Sequence, residues 1–128
     1  MADEARKKIS AKLEAVPDVV IDSHGRFKYI LIEVKDRNDD SLSKFVVRGN
    51  AKADYHADIL EEVQPGIDGL GLSAVCVGGG RIEHNSAEKR ILVYGYSMGF
   101  GRANHSITVE KLKKDYPNYK ITYTNDGY

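Results

Sequence analysis

The chain has little cysteine and no excess of charge of either sign. Its single cysteine, Cys76, cannot form an intramolecular disulfide, and a structural zinc site would have to use histidines and carboxylates. Because Cys76 lies in the apolar run 74–77, we expect a buried, inert thiol in a reducing compartment. Nineteen basic residues balance nineteen acidic ones, which leaves no global field to attract nucleic acid. Any anion-binding site must therefore be local.

Long hydrophobic runs are also lacking. No apolar run approaches the roughly 20 residues needed to span a bilayer, and the charged segment 1–14 lacks the apolar core of a signal peptide. We therefore expect a cytoplasmic protein without a membrane partner, which at this size can also diffuse into the nucleus. The 128 residues suit one domain with one core, and we expect a monomer.

The sequence also lacks clusters of residues with metal-ligand spacing. The chain contains four histidines, which share no spacing such as His-x-x-x-His: His24, His56, His84 and His105. Its carboxylates are scattered, so we expect no specific metal site and no cofactor. A cysteine-phosphatase loop is excluded as well, because Arg81 follows Cys76 one residue too early and Cys76 lies within an apolar strand.

Hydrophobic periodicity predicts an α/β fold: a single compact domain with a mixed β-sheet of about six strands and two main helices. Residues 1–17 form an N-terminal extension, with a short helix in 3–14 that Pro17 ends, and residues 18–128 form the domain. The first strands predicted are 18–21 and 26–34, joined as a hairpin by a turn at 22–25. Alternation places Phe27, Tyr29 and Leu31 on one face, and Lys28, Ile30 and Ile32 on the other.

The remaining elements follow from turn residues and apolar stripes. The sequence predicts a solvated loop at 35–41, strands at 44–47, 72–77, 81–84, 90–96 and 119–124, and a flexible connection at 78–80. A first helix at 51–63 would bury Tyr55, Ile59 and Val63, carry His56 and Leu60 on its flank, and end at Pro65. A second helix at 109–116 would be capped by Thr108.

Two stretches can carry chemistry. His56, in the segment 54–58, is an imidazole that can accept a proton at neutral pH, although a helix histidine without any role is an equal alternative. The glycine-rich segment 94–101 follows an apolar strand and can offer backbone N–H groups to an anion, with Ser97 adding a hydroxyl and a free N–H. The same glycines could instead form only a corner of the chain.

Two cations are further candidates for an anion site. Arg81 follows three glycines and could make a bidentate contact to phosphate, or the glycines could only relieve strain between strands. Lys28 interrupts an apolar strand, so it is either a charge that protects a sheet edge or a phosphate ligand. On the residues alone, the edge interpretation is favoured.

Several short motifs resemble the phosphohistidine phosphatase, or janus/ocnus, family. They cover roughly residues 18–128 and are specific only in combination: Phe27-Lys28-Tyr29, Val47-Arg48-Gly49, Tyr55-His56-Ala57-Asp58, Gly78-Gly79-Gly80-Arg81-Ile82, Val93-Tyr94-Gly95-Tyr96-Ser97-Met98 and Asn125-Asp126-Gly127-Tyr128. The sequence departs from the family pattern in a longer N-terminal segment, in Pro65, and in Gly99 where alanine is expected.

The resemblance implies a protein-histidine phosphatase that needs no metal and acts on phosphohistidine-containing proteins. It implies that His56 is catalytic, that Lys28 contacts the phosphate, and that the backbone of Ser97, Met98 and Gly99 holds the phosphoryl oxygens. It makes Arg81 and His105 supporting residues.

The motifs leave the chemistry of His56 open between general base and nucleophile. We favour the base, because no second base for a covalent route is evident. Two other functions fit the same residues: a module that binds phosphohistidine without hydrolysing it, and a phosphoramidase that acts on small molecules.

Overall fold

The structure is a computed structural model that describes residues 11–126. Its strands are β1 (Val19–Ile21), β2 (Gly25–Asp36), β3 (Asp39–Asn50), β4 (Leu72–Asn85), β5 (Arg90–Tyr94) and β6 (Lys120–Tyr123), and its two main helices are α1 (His56–Gly69) and α2 (His105–Asp115). The strands form one mixed sheet in the order β1-β3-β2-β4-β5-β6. The predicted fold class, an α/β domain with about six strands and two main helices, is confirmed.

The sheet has an apolar core on each face, because β2 alternates as predicted. Phe27, Tyr29 and Leu31 are buried on one face, which α2 covers. Ile30 and Ile32 are buried on the other, which α1 covers. We call these the α2 face and the α1 face. Side chains on one strand therefore reach two separate layers, depending on whether their position is odd or even.

The N-terminal residues join the core of the α1 face. Residues 11–14 are helical, and Leu13 and Val16 are buried beside strand residues. The rest of the predicted short helix and the end of the last family motif lie outside the described residues. The division of the chain at residue 17 stays a prediction. No helix in the described part of the chain is both long enough and apolar enough to cross a bilayer.

The first strand does not form the predicted hairpin. β1 pairs in parallel with β3, with Val19 opposite Val47. It cannot pair with β2, because both edges of β2 are already occupied by the long strands β3 and β4. The segment at 22–25 is therefore a crossover, and Asp22 fixes it by accepting a hydrogen bond from the N–H of Ala51 at 2.8 Å.

The predicted solvated loop at 35–41 is largely strand. β2 continues to Asp36 and β3 begins at Asp39, so only two residues turn. The carboxylate of Asp36 accepts the N–H of Asn38 at 2.8 Å. Polar composition favours a loop here, but a two-residue hairpin needs only a short polar turn between two long strands, so the loop prediction is wrong.

The first helix begins and ends later than predicted. It starts at His56, and Tyr55 is its exposed N-cap residue, not part of the core. Asp58 accepts the N–H of Tyr55 at 2.9 Å, which fixes this start. The helix also continues through Pro65 instead of ending there. Burial of Ile67 beyond the proline stabilises the last turn and offsets the hydrogen bond that proline cannot make.

Three further expectations are wrong. The three glycines at 78–80 lie inside β4, where a register shift opposite Leu31 and Ile32 accommodates one extra residue, so they are not a flexible connection. Asn104 caps α2 by accepting the N–H of Ser106 at 3.2 Å, whereas Thr108 is a fully buried residue within the helix. Cys76 is only half-buried, and partial burial raises the pKa of its thiol.

Candidate active site

A cleft of about 590 Å³ opens on the α1 face where α1 begins. Its lining residues come from β2, β4, the start of α1 and the glycine-rich segment: Lys28, Asp54, Tyr55, His56, Ala57, Arg81, Ser97, Met98, Gly99 and Phe100. Six of the seven candidate site residues therefore lie around one cavity. His105 is the exception.

His56 enters the cleft from the first turn of α1 and packs against β4. Its side chain is buried, with 8% of the residue exposed, and it also lines the cleft. A Cβ at Gly79 would lie 2.7 Å from Cδ2 of the His56 ring. The missing side chain in β4 is thus what allows the ring to approach the strand backbone.

The hydrogen bond of His56 fixes its tautomer. Nε2 lies 2.9 Å from the carbonyl oxygen of Gly80. A carbonyl oxygen only accepts hydrogen bonds, so Nε2 carries the proton and donates it. In the neutral imidazole, Nδ1 then carries the lone pair. The Cδ2–Nε2 edge faces β4, which leaves Nδ1 on the opposite edge of the ring.

The electrostatic surroundings keep His56 neutral. Burial lowers the pKa of His56 below its ordinary value of 6.5, and the positive charges of Lys28 and Arg81 lower it further. The hydrogen bond to Gly80 acts in the opposite direction but does not cancel these effects. At neutral pH the ring is therefore uncharged and can accept a proton at Nδ1.

Lys28 lies in the interior of the sheet. Its strand, β2, has neighbours on both sides, so the sequence-favoured role as a charge protecting a sheet edge is wrong. In the register of β2 and β4, Lys28 is directly opposite Arg81, and both side chains line the cleft. Like charges at such a cross-strand pair repel each other. An anion bound between them would relieve that repulsion.

The segment 94–101, which we call the glycine loop, folds back on itself. Ser97 N–H donates to the carbonyl of Gly101 at 3.1 Å, and Gly101 N–H donates to the carbonyl of Ser97 at 2.8 Å. The predicted free N–H at Ser97 is therefore occupied. Within residues 11–126, the N–H groups of Met98 and Gly99 have no acceptor. These two amides at the tip remain available to an anion in the cleft.

The side chain of Ser97 supports the glycine loop from inside. It is buried, and its Oγ accepts the N–H of Phe100 at 3.1 Å. The loop is also tied to β4, because Gly79 donates to the carbonyl of Gly101 and accepts from Ala103, both at 3.0 Å. The end of the loop is thus held against the strand that also binds His56.

His105 lies on the α2 face, behind β4, and does not line the cleft. A Cβ at Gly80 would lie 2.7 Å from its Cε1. Its Nε2 donates to the carbonyl of Gly95 at 2.8 Å, so Nδ1 accepts from the hydroxyl of Tyr29 at 2.6 Å. Thr108 completes this buried chain by donating to the Tyr29 oxygen at 3.0 Å. His105 therefore contacts Gly95, near the start of the glycine loop, and does not line the cleft.

Burial sets the charge of this second histidine site as well. It lowers the pKa of His105, and the positive charge of Arg102 acts in the same direction, whereas the bond to Gly95 raises it. Burial also raises the pKa of Tyr29 well above its ordinary value, although its bond with Thr108 acts against this. The chain of hydrogen bonds is therefore neutral, as its buried position requires.

Sequence reasoning missed two kinds of site residue. Tyr55, Asp54 and Phe100 line the cleft, but nothing in the sequence singles out their side chains within the segments that contain His56 and the glycines. Gly80 contributes a backbone carbonyl, whose role no side-chain pattern can indicate; three successive glycines within a strand were the available signal. In the described part of the chain, no three His, Cys, Asp or Glu side chains cluster as metal ligands.

Known proteins resemble this chain over nearly all of its length. A 14 kDa phosphohistidine phosphatase of Sus scrofa is 50% identical over 123 residues, covering 93% of this chain and 98% of the relative. The protein of the same name from Homo sapiens is 48% identical over 122 residues, with 92% and 98% covered. The sex-regulated protein janus-A of Drosophila melanogaster is 48% identical over 116 residues, with 91% and 84% covered.

The family model agrees with these relatives. The model of the Janus/Ocnus family matches residues 13–120, a range that includes every residue of the cleft. The chain belongs to the Janus/Ocnus family.

Proposed function

We propose that this protein is a phosphohistidine phosphatase, which hydrolyses the P–N bond of phosphohistidine in proteins. The observation that carries the proposal is the single cleft that holds a neutral, oriented His56 beside Lys28 and Arg81. Relatives about half identical to this chain bear the name of that activity, which supports the same assignment.

Binding of the phosphoryl group is assigned to charges and backbone amides. Its three non-bridging oxygens can be met by the ammonium of Lys28, the guanidinium of Arg81 and the N–H groups at the tip of the glycine loop, Met98 and Gly99. These groups are fixed by strands and by the loop's own hydrogen bonds, so little reorganisation is needed when charge develops in the transition state. Positioning and electrostatics then supply most of the catalysis without a metal.

His56 is assigned the role of general base. Its Nδ1 takes a proton from a water molecule as the water oxygen bonds to phosphorus. The P–N bond breaks, and its electron pair stays on the substrate imidazole, which leaves as neutral histidine when its other nitrogen is already protonated. The products are histidine and inorganic phosphate, so one water molecule balances the reaction.

His105 is assigned a positioning role. Its bond to the Gly95 carbonyl fixes the chain where the glycine loop leaves β5. A change in His105 would therefore alter the placement of the Met98 and Gly99 amides without removing any group from the cleft. Rescue by glutamine, which can also donate to Gly95, would separate this role from one in proton transfer.

Phosphate release from a phosphohistidine peptide by the purified protein tests the proposal. We expect steady turnover by the unmodified protein and its loss in His56→Asn. A protein that binds the peptide but releases no phosphate would instead be a binding module. Turnover of free phosphoramidate but of no phosphohistidine peptide would make it a small-molecule phosphoramidase.

A further inference from the structure

One part of the α1 face is not covered by α1. The helix packs against β2, β3 and β4, and the side chains beyond it on β4, β5 and β6 border a second groove of about 350 Å³. We call this surface the open sheet face and define it by six residues: Arg26, Glu83, Arg90, Leu92, Lys120 and Thr122. None of them is buried, whereas Ile30 and Ile32 under the helix are fully buried.

The open sheet face is continuous with the cleft. Arg81 in the cleft is paired with Tyr94 on β5, and the next row on the same face pairs Glu83 with Leu92. The last row places Arg90 beside Lys120 on β6. Arg90 is four residues from Tyr94, about 13 Å along the strand at roughly 3.3 Å per residue.

The surface formed by the cleft and the open sheet face is basic, although the whole chain has no net charge. Its cations are Arg26, Lys28, Arg81, Arg90 and Lys120. Its carboxylates are Asp54, Glu83 and Glu88. Two positive charges are therefore in excess on a chain that is neutral overall, which favours an acidic partner.

The arrangement of the charges favours a peptide with separate carboxylates. Arg26 and Arg90 form ion pairs with Glu83 and Glu88, but all four side chains are well exposed, so these pairs are easily exchanged for a partner's carboxylate. Glu83 lies between the phosphate cleft and Arg90, where it would repel a continuous phosphate backbone. Leu92 offers an apolar floor between the charged ends.

We propose that the open sheet face binds the extended polypeptide next to phosphohistidine and selects acidic side chains about three to five residues from it. The spacing follows from the roughly 13 Å along β5 between Arg90 and Tyr94, the cross-strand partner of Arg81, because an extended peptide advances roughly 3.3 Å per residue. This proposal rests on the proposed function. It adds the substrate class: phosphohistidine in an acidic sequence context.

Matched peptides test the preference. The peptides carry two glutamates, two glutamines or two lysines at the fourth and fifth positions counted from phosphohistidine. In one set these positions lie on its N-terminal side, and in the other set on its C-terminal side. We expect kcat/KM for the glutamate peptide of one set to exceed that of its glutamine peptide about five- to tenfold. High salt should reduce this ratio, because the charges are exposed. Equal rates for all peptides of both sets would overturn the proposal.

Variants locate the preference on the protein. Arg90→Gln with Lys120→Gln should bring the glutamate-to-glutamine ratio close to one. The control is Lys113→Gln with Lys114→Gln, which removes the same charge from the exposed last turn of α2 on the other face and should keep the ratio. Thermal unfolding checks that both variants fold. A ratio that survives the first pair, or falls equally in both pairs, contradicts the proposal.

The two proposals fail in different ways. Turnover of free phosphoramidate, which is too small to reach Arg90, reports on the cleft alone. If neither phosphoramidate nor any peptide is hydrolysed, the proposed function fails. The second proposal can then still be decided by fluorescence anisotropy, with peptides that carry a stable phosphonate analogue of phosphohistidine. It requires that the glutamate peptide binds more tightly than the glutamine peptide. It also requires that this difference disappears in Arg90→Gln with Lys120→Gln.

Discussion

His56 and His105 lie on opposite faces of β4, one against Gly79 and the other against Gly80. Each ring donates its Nε2 proton to a backbone carbonyl, at 2.9 Å and 2.8 Å respectively. Their Nδ1 atoms differ: that of His105 accepts from a buried tyrosine, whereas that of His56 is on the ring edge turned away from the strand. The same strand therefore holds one histidine within a buried chain of hydrogen bonds and one at the cleft.

Replacement of His56 tests its assigned role most directly. We expect His56→Asn to reduce the release of phosphate from a phosphohistidine peptide by about 10² to 10⁴, the range typical for loss of a general base. The matched control is His24→Asn, since His24 is exposed and hydrogen-bonds to Ser86 at the surface. Near-normal turnover by a folded His56 variant would remove this residue from catalysis.

Replacement of His56 should also lower the stability of the protein. His56 is buried, and its loss can leave the Gly80 carbonyl without a donor, which costs about 1–3 kcal/mol. We therefore expect a lower free energy of unfolding in urea for His56→Ala, and a smaller decrease for His56→Gln, whose longer side chain can still donate to Gly80. Measuring both variants separates loss of activity from loss of the fold.

Lys28 should act mainly through substrate binding. An ammonium that contacts the phosphoryl group in both the ground state and the transition state contributes largely uniform binding, so Lys28→Ala should raise KM more than it lowers kcat. Lys28→Arg should restore the charge but not the compact geometry and give intermediate constants. The control is Lys113→Ala in α2. Unchanged constants in Lys28→Ala would leave the phosphate to Arg81 and the loop amides.

A chelator should leave turnover unchanged. The proposed site meets the phosphoryl charge with Lys28, Arg81 and two backbone amides, so no step requires a metal. Phosphate release is measured after dialysis against EDTA and again after addition of Mg²⁺, Mn²⁺ or Zn²⁺. Loss of activity with EDTA that one of these ions restores would overturn the metal-free mechanism.

The sheet and the cleft could be predicted in outline from short-range patterns. Alternation at Phe27 to Ile32 assigned the two faces of β2 correctly, because each face is buried under a different helix. Motifs, together with their resemblance to a family, identified six residues that line one cleft. Strand order could not be predicted in this way, since pairing depends on which edges longer strands already occupy, and so the hairpin of β1 with β2 was wrong.

Errors at the site had a different physical origin. Lys28 was interpreted as an edge charge because its neighbours across the sheet are distant in sequence, and only the topology places β2 in the interior. The predicted flank position of His56 follows from counting Tyr55 in the core stripe, whereas Tyr55 is the exposed N-cap residue and His56 is buried in the first turn. His105 lies near the glycine loop in sequence, but β4 separates it from the cleft.

The pH dependence of turnover should reflect the neutral state of His56. Burial and the charges of Lys28 and Arg81 lower its pKa below 6.5, and a general base must be unprotonated. We therefore expect the midpoint of the acid limb of kcat/KM to lie below pH 6.5. Lys28→Gln removes one of the charges that lower the pKa, so its acid limb should move to higher pH.

A control variant makes the pH shift specific. Lys113→Gln removes an equal charge from α2 without facing His56, and its profile should match that of the unmodified protein. An acid limb above pH 6.5 in the unmodified protein would contradict the assigned base. So would a shift to lower pH in Lys28→Gln.

Two Gly→Ala variants should differ sharply. At Gly79, a Cβ would lie 2.7 Å from His56 and 2.8 Å from the carbonyl oxygen of Tyr29. One neighbour is backbone and cannot move aside, so Gly79→Ala should cost about 1–3 kcal/mol of stability and displace the His56 ring. At Gly99, a Cβ would meet nothing within 4 Å, and the backbone is outside the left-handed region.

Gly99→Ala should therefore keep both stability and turnover, since the amide at this position stays in place and only a methyl group is added. Urea unfolding and phosphate release are measured for both variants. The Gly79 variant should lose turnover even where enough protein remains folded, because the ring that it displaces carries the base. A fully active Gly79→Ala would show that contact of His56 with β4 does not position the base, and an inactive but folded Gly99→Ala would show that the tip of the glycine loop needs the freedom of glycine.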